Sequence, residues 1–456
     1  MNLTCFKAYD VRGKLGVDLD ESVAYRIGRA TAEVLDARTI VVGRDVRASS
    51  QALMDAVVEG VRDAGADALD LGLCGTEEMY FATAHLDADG GIEVTASHNP
   101  MDYNGMKMVK AGSAPLGQDS GLGAIRALAE SGTFRAVGAR GMLRDVSSCR
   151  AAYVDRVLSM VDIAQLRPLR ILVNAGNGAA GPTFDALADG LRERGAPLSF
   201  VRMHHDPDGQ FPNGIPNPLL PENQPVTAEA VRQHGADFGV AWDGDFDRCF
   251  LFDHLGTFVP GEYIVGLLAE VFLDHHPGEA IVHDPRVVWN TQDVIRSGGG
   301  RGIQSRTGHA FMKQTMRDHD AIYGGEMSAH HYFRDFMYCD SGMIPWLLIA
   351  ELIGRRGASL ADLLADRIAR FPSSGEINFA LKDPAAAVRR VLDAFEAEAE
   401  SRDDSDGVGL SFRDWRFNLR SSNTEPLLRL NVEARGDARR VQDGVDKIAT
   451  LIRSEA

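Results

Sequence analysis

The 456-residue sequence has little cysteine, and what it has follows no pattern. Cys5, Cys74, Cys149, Cys249 and Cys339 are odd in number, widely spread and free of any Cys-x-x-Cys pair. A disulfide framework is thereby excluded, and no zinc-site spacing exists. Long apolar runs are missing too: nothing approaches the ~20 residues that span a bilayer, and no charged-then-apolar leader is present. A cytoplasmic protein without a membrane partner is expected. Positive charge is in deficit, with 48 Lys and Arg against 65 Asp and Glu, a net charge of -17. Nucleic acids and anionic membranes both require a basic face, so neither is an expected partner.

What is present is an ordinary soluble composition, 45% hydrophobic and 25% charged. At roughly 150 residues per domain the length corresponds to about three domains, with clefts between them. Any anionic small molecule bound by so acidic a chain needs a locally basic site, which makes arginines in glycine-rich or polar loops informative.

Three segments run from a β-branched strand pattern through a polar or glycine-bearing loop into a helical pattern: RTIVVGRDVR from Arg38, RILVNAGNGAAGPTFDALADGL from Arg170, and AIVHDPRVVWNTQDVI from Ala280. This is repeated β-loop-α organisation. Each is followed by a second strand that delivers a distinctive loop: Ser97 in TASHNP, Asp243 in WDGDFDR, and Glu326 in GGEMSAHH. From about Ser373 the pattern changes to a strand (EINFAL), a helix from Pro384 to Ala399, two strands (GVGLSFRDWRFNLR and PLLRLNVEA) and a closing helix, a small α+β domain. The hairpin between its two strands, Ser421 to Pro426 headed by Arg420, gathers a guanidinium, hydroxyls and backbone N–H groups, a set that suits a phosphate; a plain polar hairpin tip is the other reading.

Asp243, Asp245 and Asp247 alternate after an apolar strand. Carboxylates so close repel one another unless a cation or arginine intervenes, and an oxygen-only ligand set selects a hard ion such as Mg²⁺ or Ca²⁺. Ligands on one Mg²⁺ lie at most ~4.2 Å apart, whereas i and i+2 on a strand are ~6.6 Å apart. The segment must therefore curl, and Gly244 permits it. An EF-hand is excluded, because its twelfth position would be His254 rather than glutamate. An aspartyl-phosphate phosphotransferase with Asp243 as nucleophile stays open as a rival. Three carboxylates leave a Mg²⁺ octahedron incomplete, and a phosphorylated Ser97 can supply a further oxygen. No Gly-x-Ser-x-Gly elbow supports a serine hydrolase.

TASHNP followed by Asn104-Gly105-Met106-Lys107, WDGDFDR, GGEMSAHHYF and RSSNTEP, with YDVRG at Tyr9 to Gly13, resemble the motifs of the α-D-phosphohexomutase family in order and spacing over essentially the whole chain. Gly-Glu-Met-Ser resembles the phosphomannomutase/phosphoglucomutase branch. The resemblance implies an α/β fold of four domains in a heart-shaped arrangement around one central cleft. Three related α/β domains would span 1–145 (phosphoserine loop), 146–250 (metal loop) and 251–368 (sugar-binding loop), and a smaller α+β domain 369–456 (phosphate-binding loop). It implies that Ser97 is the phosphoserine and that Asp243, Asp245 and Asp247 hold Mg²⁺ with it. His98, Lys107, Arg12 and His309 would complete the catalytic set, without settling which is general acid or base. Glu326 and Ser328 would bind sugar hydroxyls, and Arg420, Ser422, Asn423 and Thr424 the phosphate not being transferred. Tyr9, Arg248 and His330 join the substrate-binding residues. Arg286 does too, standing where many relatives carry lysine; it keeps a phosphate contact but makes proton transfer there implausible.

The implied activity is reversible phosphoryl transfer between O6 and O1 of a hexose, mannose first and glucose second, through a bound 1,6-bisphosphate. Mg²⁺ is the implied cofactor, hexose 1,6-bisphosphate the activator, and hexose phosphates the small-molecule partners. A monomer is expected, with a dimer the other option. A non-catalytic sugar-phosphate sensor is the reading from a different class. His331 carries no expected role, and Tyr332, Phe333, Phe336 and Met337 read as core.

Overall fold

A computed structural model of the chain describes residues 2–421 and 427–454. In the first domain, strands are ordered Val11–Lys14, Tyr103–Lys110, Gly90–Val94, Thr39–Arg44, Asp67–Leu73 and Leu143–Asp145 across one sheet. Thr39–Arg44 enters a loop, passes through the helix Ser50–Asp63, and is flanked on both sides by parallel neighbours. Gly90–Val94 is buried at every position, the burial expected of a strand covered on both faces.

The same unit recurs. Leu169–Asn174 leads to the helix Ala180–Glu193 and pairs in parallel with Phe238–Trp242. Ala280–His283 leads to Trp289–Ser297 and pairs in parallel with Tyr323–Gly325. In all three, the second parallel strand ends where its distinctive loop begins, at Ser97, Asp243 and Glu326. The repeat read from the sequence is therefore physical: parallel neighbours discharge their loops at the same, C-terminal edge of a sheet.

Helix starts follow local chemistry. Asp20 accepts from Val23 N, Asp383 from Ala386 N and Asp437 from Arg439 N, while Ser359 and Asp362 form a capping box. The chain resolves into two compact units, one of Met1–Phe258 with His330–Gly357, the other of Val259–Ala329 with Ala358–Ala456. One hydrophobic cluster of the first unit is built on Ile27, Val57, Ile92 and Met106. In the second, Trp415, Phe417, Leu430 and Val432 pack against Val391 and Ile448.

The C-terminal domain is a five-stranded antiparallel sheet with the helices Pro384–Phe395 and Ala438–Arg453. One expectation needs correction here: GVGLSFRDWRFNLR is not one strand but two, Val408–Ser411 and Trp415–Ser421, paired antiparallel. The polar Arg413–Asp414 turn breaks it, closed by Phe412 N donating to Trp415 O at 2.9 Å. Tyr332, Phe333 and Phe336 are buried core residues, while Met337 is half-buried.

Candidate active site

In the first unit, Ser97 and the aspartate loop meet. Ser97 Oγ donates to Asp243 Oδ2 at 2.7 Å and lies 2.9 Å from His98 Nδ1. Ser97 has φ +48°, an uncommon left-handed conformation for a residue with a side chain, and the surrounding bonds over-determine it. Thr95 Oγ1 accepts from Ser97 N at 2.9 Å and donates to Asp45 Oδ2 at 2.7 Å. Arg47 donates to the carbonyls of Ser97, Asn99, Pro100 and Tyr103 at 2.5–3.2 Å. The turn that holds the serine is thus clamped from behind. Ser97 is only 3% exposed, with Asp243 and His98 beside its Oγ.

The aspartates occupy a hairpin loop between Phe238–Trp242 and Cys249–Asp253, with Trp242 opposite Cys249. The loop curls as expected, bringing one carboxylate oxygen of each within 4.8 Å of the others. Gly244 is required for another reason, however. The left-handed residue is Phe246, at φ +47°, whereas a Cβ on Gly244 would stand 2.5 Å from the carbonyl oxygen of Ser97. Only glycine lets the two loops approach so closely.

Lys107, from the strand antiparallel to Gly90–Val94, donates to Asp245 Oδ2 at 2.7 Å and to Asp247 Oδ2. Burial alone would lower its pKa, but Asp245 and Asp247 outweigh that and hold it above the ordinary lysine value. Thr76 Oγ1 also donates to Asp245 Oδ2, at 2.7 Å. Arg248 Nε lies 3.5 Å from Asp243 Oδ2 and 3.2 Å from His330 Nε2, which in turn is 3.6 Å from Asp247 Oδ1. Burial raises Asp243, with repulsion from Asp247 adding to it. Burial would raise Asp247 as well, but Lys107 and His330 draw it well below the usual carboxylate range. His98 is pushed well below its ordinary value by burial and by Arg248, so its imidazole is neutral near pH 7.

These residues fit a hard divalent cation. All three aspartates are fully buried, and Oδ1 of each has no hydrogen-bond partner among the described residues. Three half-satisfied carboxylates at one point are costly unless a cation completes them. Asp247, His330 and Asp340 form a second convergent group that shares Asp247. Arg12 Nη1 donates to Thr95 O at 2.6 Å, behind the serine strand, and pairs with Asp10. Tyr9 is half-buried in the bend that precedes Val11–Lys14.

The other expected residues lie in the second unit. Arg286 is 4% exposed and donates to Asp284 Oδ2 through Nη2 at 2.6 Å and Nε at 3.2 Å. The same Nη2 reaches Ser328 Oγ at 3.4 Å and lies 3.8 Å from Glu326 Oε1. Glu326 Oε1 accepts from Gly308 N at 2.9 Å, which places His309, the first residue of the helix His309–His319, beside it. Arg416 donates to the carbonyls of Pro285 and Arg286, and its partner Glu433 accepts from Val288 N and Trp289 N. The C-terminal sheet therefore holds the loop that carries Arg286. Arg420, next to last in its strand, has Nη1 3.5 Å from Asp406 Oδ2. Ser422, Asn423 and Thr424 lie outside the described residues.

Sequence reasoning missed Arg47, Asp45, Thr95, Thr76 and Asp284. Arg47 had a visible signal, an arginine in the polar loop after a strand in VVGRDVR; the rest are placed only by the fold.

Profiles described as phosphoglucomutase/phosphomannomutase α/β/α domains I, II and III match residues 4–136, 151–256 and 260–371, and the C-terminal domain profile of that group matches 376–451. A phosphomannomutase of Salmonella montevideo is 59% identical over 455 residues, 99% of this chain and 100% of the relative. A Xanthomonas campestris protein described as phosphohexose mutases is 54% identical, covering 99% of this chain and 100% of its own length. The crystal structure of a phosphoglucomutase/phosphomannomutase family protein from Burkholderia thailandensis superposes with TM-score 0.87 at 32% identity, over 99% of this chain and 98% of that one. With four domain profiles in order and relatives alike from end to end, the chain belongs to the phosphoglucomutase/phosphomannomutase family.

Proposed function

We propose that this chain is a phosphomannomutase that interconverts mannose 6-phosphate and mannose 1-phosphate, with glucose phosphates as further substrates. The observation that carries the reading is the 2.7 Å contact of Ser97 Oγ with one of three buried aspartates, in a chain 59% identical to a phosphomannomutase. The assigned domains are 1–145, 146–250, 251–368 and 369–456, carrying the serine, metal, sugar and phosphate loops respectively.

In this reading Ser97 carries a phosphoryl group. The free hydroxyl oxygen of a bound hexose monophosphate attacks phosphorus, the bond from phosphorus to Ser97 Oγ breaks, and a 1,6-bisphosphate results. The sugar turns over, its other phosphate returns to Ser97, and the isomeric monophosphate leaves. Asp243, Asp245 and Asp247, with an oxygen of phosphorylated Ser97, would hold Mg²⁺. Bound there, the ion offsets charge on the oxygens of the transferring group. Lys107 binds and fixes two of the aspartates, and neutral His98 is placed to accept a proton near Ser97 Oγ. Glu326 and Ser328 bind sugar hydroxyls, while Arg286 and Arg420 hold the phosphate that is not reacting. Arg12, Tyr9, Arg248, His309 and His330 are the remaining catalytic and substrate-binding residues of this reading. Hexose 1,6-bisphosphate activates by rephosphorylating Ser97.

The test is kcat/KM for mannose 1-phosphate and glucose 1-phosphate in parallel, with a catalytic amount of hexose 1,6-bisphosphate. A higher value for mannose is expected; a higher value for glucose would make the chain chiefly a phosphoglucomutase, and isomerisation of neither would leave the sensor reading. Phosphopeptide mapping separates the aspartyl-phosphate rival, which predicts no stable phosphate on Ser97.

A further inference from the structure

The clamp on the serine loop is itself seated by a second loop. Arg47 commits both terminal nitrogens of its guanidinium to the four carbonyls named above, and its Nε lies 3.6 Å from Asp45 Oδ2. With its edges so engaged, the guanidinium packs by its flat face: Arg47 Cζ stands over the Phe211 ring, 5.6 Å from the centroid. Both residues are buried, so the contact is made out of water, where the attraction of a cation to a ring is strongest.

Phe211 lies in the loop after the strand Leu198–Met203 and takes φ +45°, a left-handed conformation that its surroundings must hold. The holder is Asn177. Its N donates to His204 O at 2.7 Å and its Nδ2 to Asp206 O at 2.8 Å, while its O accepts from Asp208 N at 2.9 Å and its Oδ1 from Asn213 Nδ2 at 2.8 Å. One asparagine thus fastens the loop on both sides of Phe211, with backbone and side chain alike. Its own neighbours reach the aspartate loop. Ala179 N donates to Gly244 O at 3.0 Å, and a Cβ on Gly178 would stand 2.8 Å from that oxygen. At the serine side, a Cβ on Gly209 would stand 2.3 Å from the carbonyl oxygen of Val46, the residue before Arg47. The loop around Asn177 therefore backs the aspartates directly and, through Phe211, the clamp on Ser97.

We propose that Phe211 and Asn177 are positioning residues for phosphoryl transfer. Phe211 seats the Arg47 guanidinium, and Asn177 ties Phe211 and the aspartate loop to one support, so that Ser97 Oγ keeps its place against Asp243. This rests on the mutase reading above. The contribution is made at the transferring group and not at the sugar, so its loss falls on kcat rather than KM.

Steady-state kinetics on mannose 1-phosphate, with a catalytic amount of hexose 1,6-bisphosphate, and denaturant unfolding are measured on the full-length wild type, Phe211→Leu, Phe211→Tyr, Asn177→Gly, Arg47→Lys and the double variant Phe211→Leu/Arg47→Lys. Phe211→Leu is expected to lower kcat on the order of tenfold with KM within about twofold of wild type. Phe211→Tyr keeps the ring and should retain most of kcat. Asn177→Gly keeps the left-handed backbone but loses the side-chain bonds, and should lower kcat in the same way. In the double variant the two losses in kcat should combine to less than their product, because both act on one clamp. Unchanged kcat in a folded Phe211→Leu protein, an equal loss in Phe211→Tyr, or fully multiplicative losses would overturn the proposal, since a phenylalanine that merely fills space moves stability alone. Should Phe211→Leu not fold, Asn177→Gly decides, and unchanged kcat there overturns the proposal as well. If the wild type isomerises no hexose phosphate, the mutase reading fails, while the unfolding cycle still tests the seat: coupling between Phe211→Leu and Arg47→Lys supports it and strict additivity sinks it.

Discussion

Ser97 Oγ and Asp243 Oδ2 are 2.7 Å apart although 146 positions separate them in the chain. The contact is possible because Gly244 has no Cβ to collide with the Ser97 carbonyl. Ser97→Ala leaves this backbone fit intact and loses one hydrogen bond, worth about 1 kcal/mol. Turnover is expected to fall by ~10³-fold or more. Intact-mass analysis should show no protein-bound phosphate, and a variant with wild-type rates would remove Ser97 from the mechanism.

Lys107 is the cation that keeps Asp245 and Asp247 compatible in one buried site. Lys107→Met should destabilise the metal-free protein by about 3–5 kcal/mol, as removal of one partner from a buried ion pair does. Added Mg²⁺ should recover part of that loss, so the difference in Tm between Mg²⁺ and EDTA should be larger for the variant than for wild type. An equal or smaller difference in thermal unfolding would contradict the shared role of Lys107 and a divalent ion.

Arg47 spreads one guanidinium over four carbonyls of the serine loop. A lysine keeps the charge and has three donors on one atom, which cannot reach the same fork of acceptors. Arg47→Lys is expected to cost about 2–3 kcal/mol in denaturant unfolding and to reduce kcat more than it raises KM. Unchanged kcat would mean that the loop holds Ser97 without the clamp.

Glu77 should give the protein a pH-dependent stability. Burial pushes its carboxyl up from 4.5 to about 8, against the opposing effect of Tyr153, Ser341 and the N–H groups of Gly342 and Met343. The protonated form is thus favoured in the folded state, so its stabilisation is complete below the unfolded value of 4.5 and is lost as pH rises through about 8. The slope attributable to Glu77 is at most about 1.4 kcal/mol per pH unit in this window. Glu77→Gln should flatten Tm against pH between mildly acid and mildly alkaline conditions; an unchanged slope would assign the effect elsewhere.

The sequence by itself determined the β-loop-α repeats, because strand and helix periodicities are local, and the aspartate cluster, because carboxylates at alternate positions demand compensation wherever they are placed. Family motifs added the serine and the order of the loops. What only the tertiary structure decided is which charges meet. Lys107 reaches aspartates 138 and 140 positions away, and Arg47 reaches back behind Ser97, meetings that local pattern could not bring about. Gly244 shows the division at one residue: its small size was legible in the sequence, but the reason was not flexibility in its own loop. It was the approach of a second loop, and a distance between two distant segments is set by how the sheets pack rather than by any local pattern.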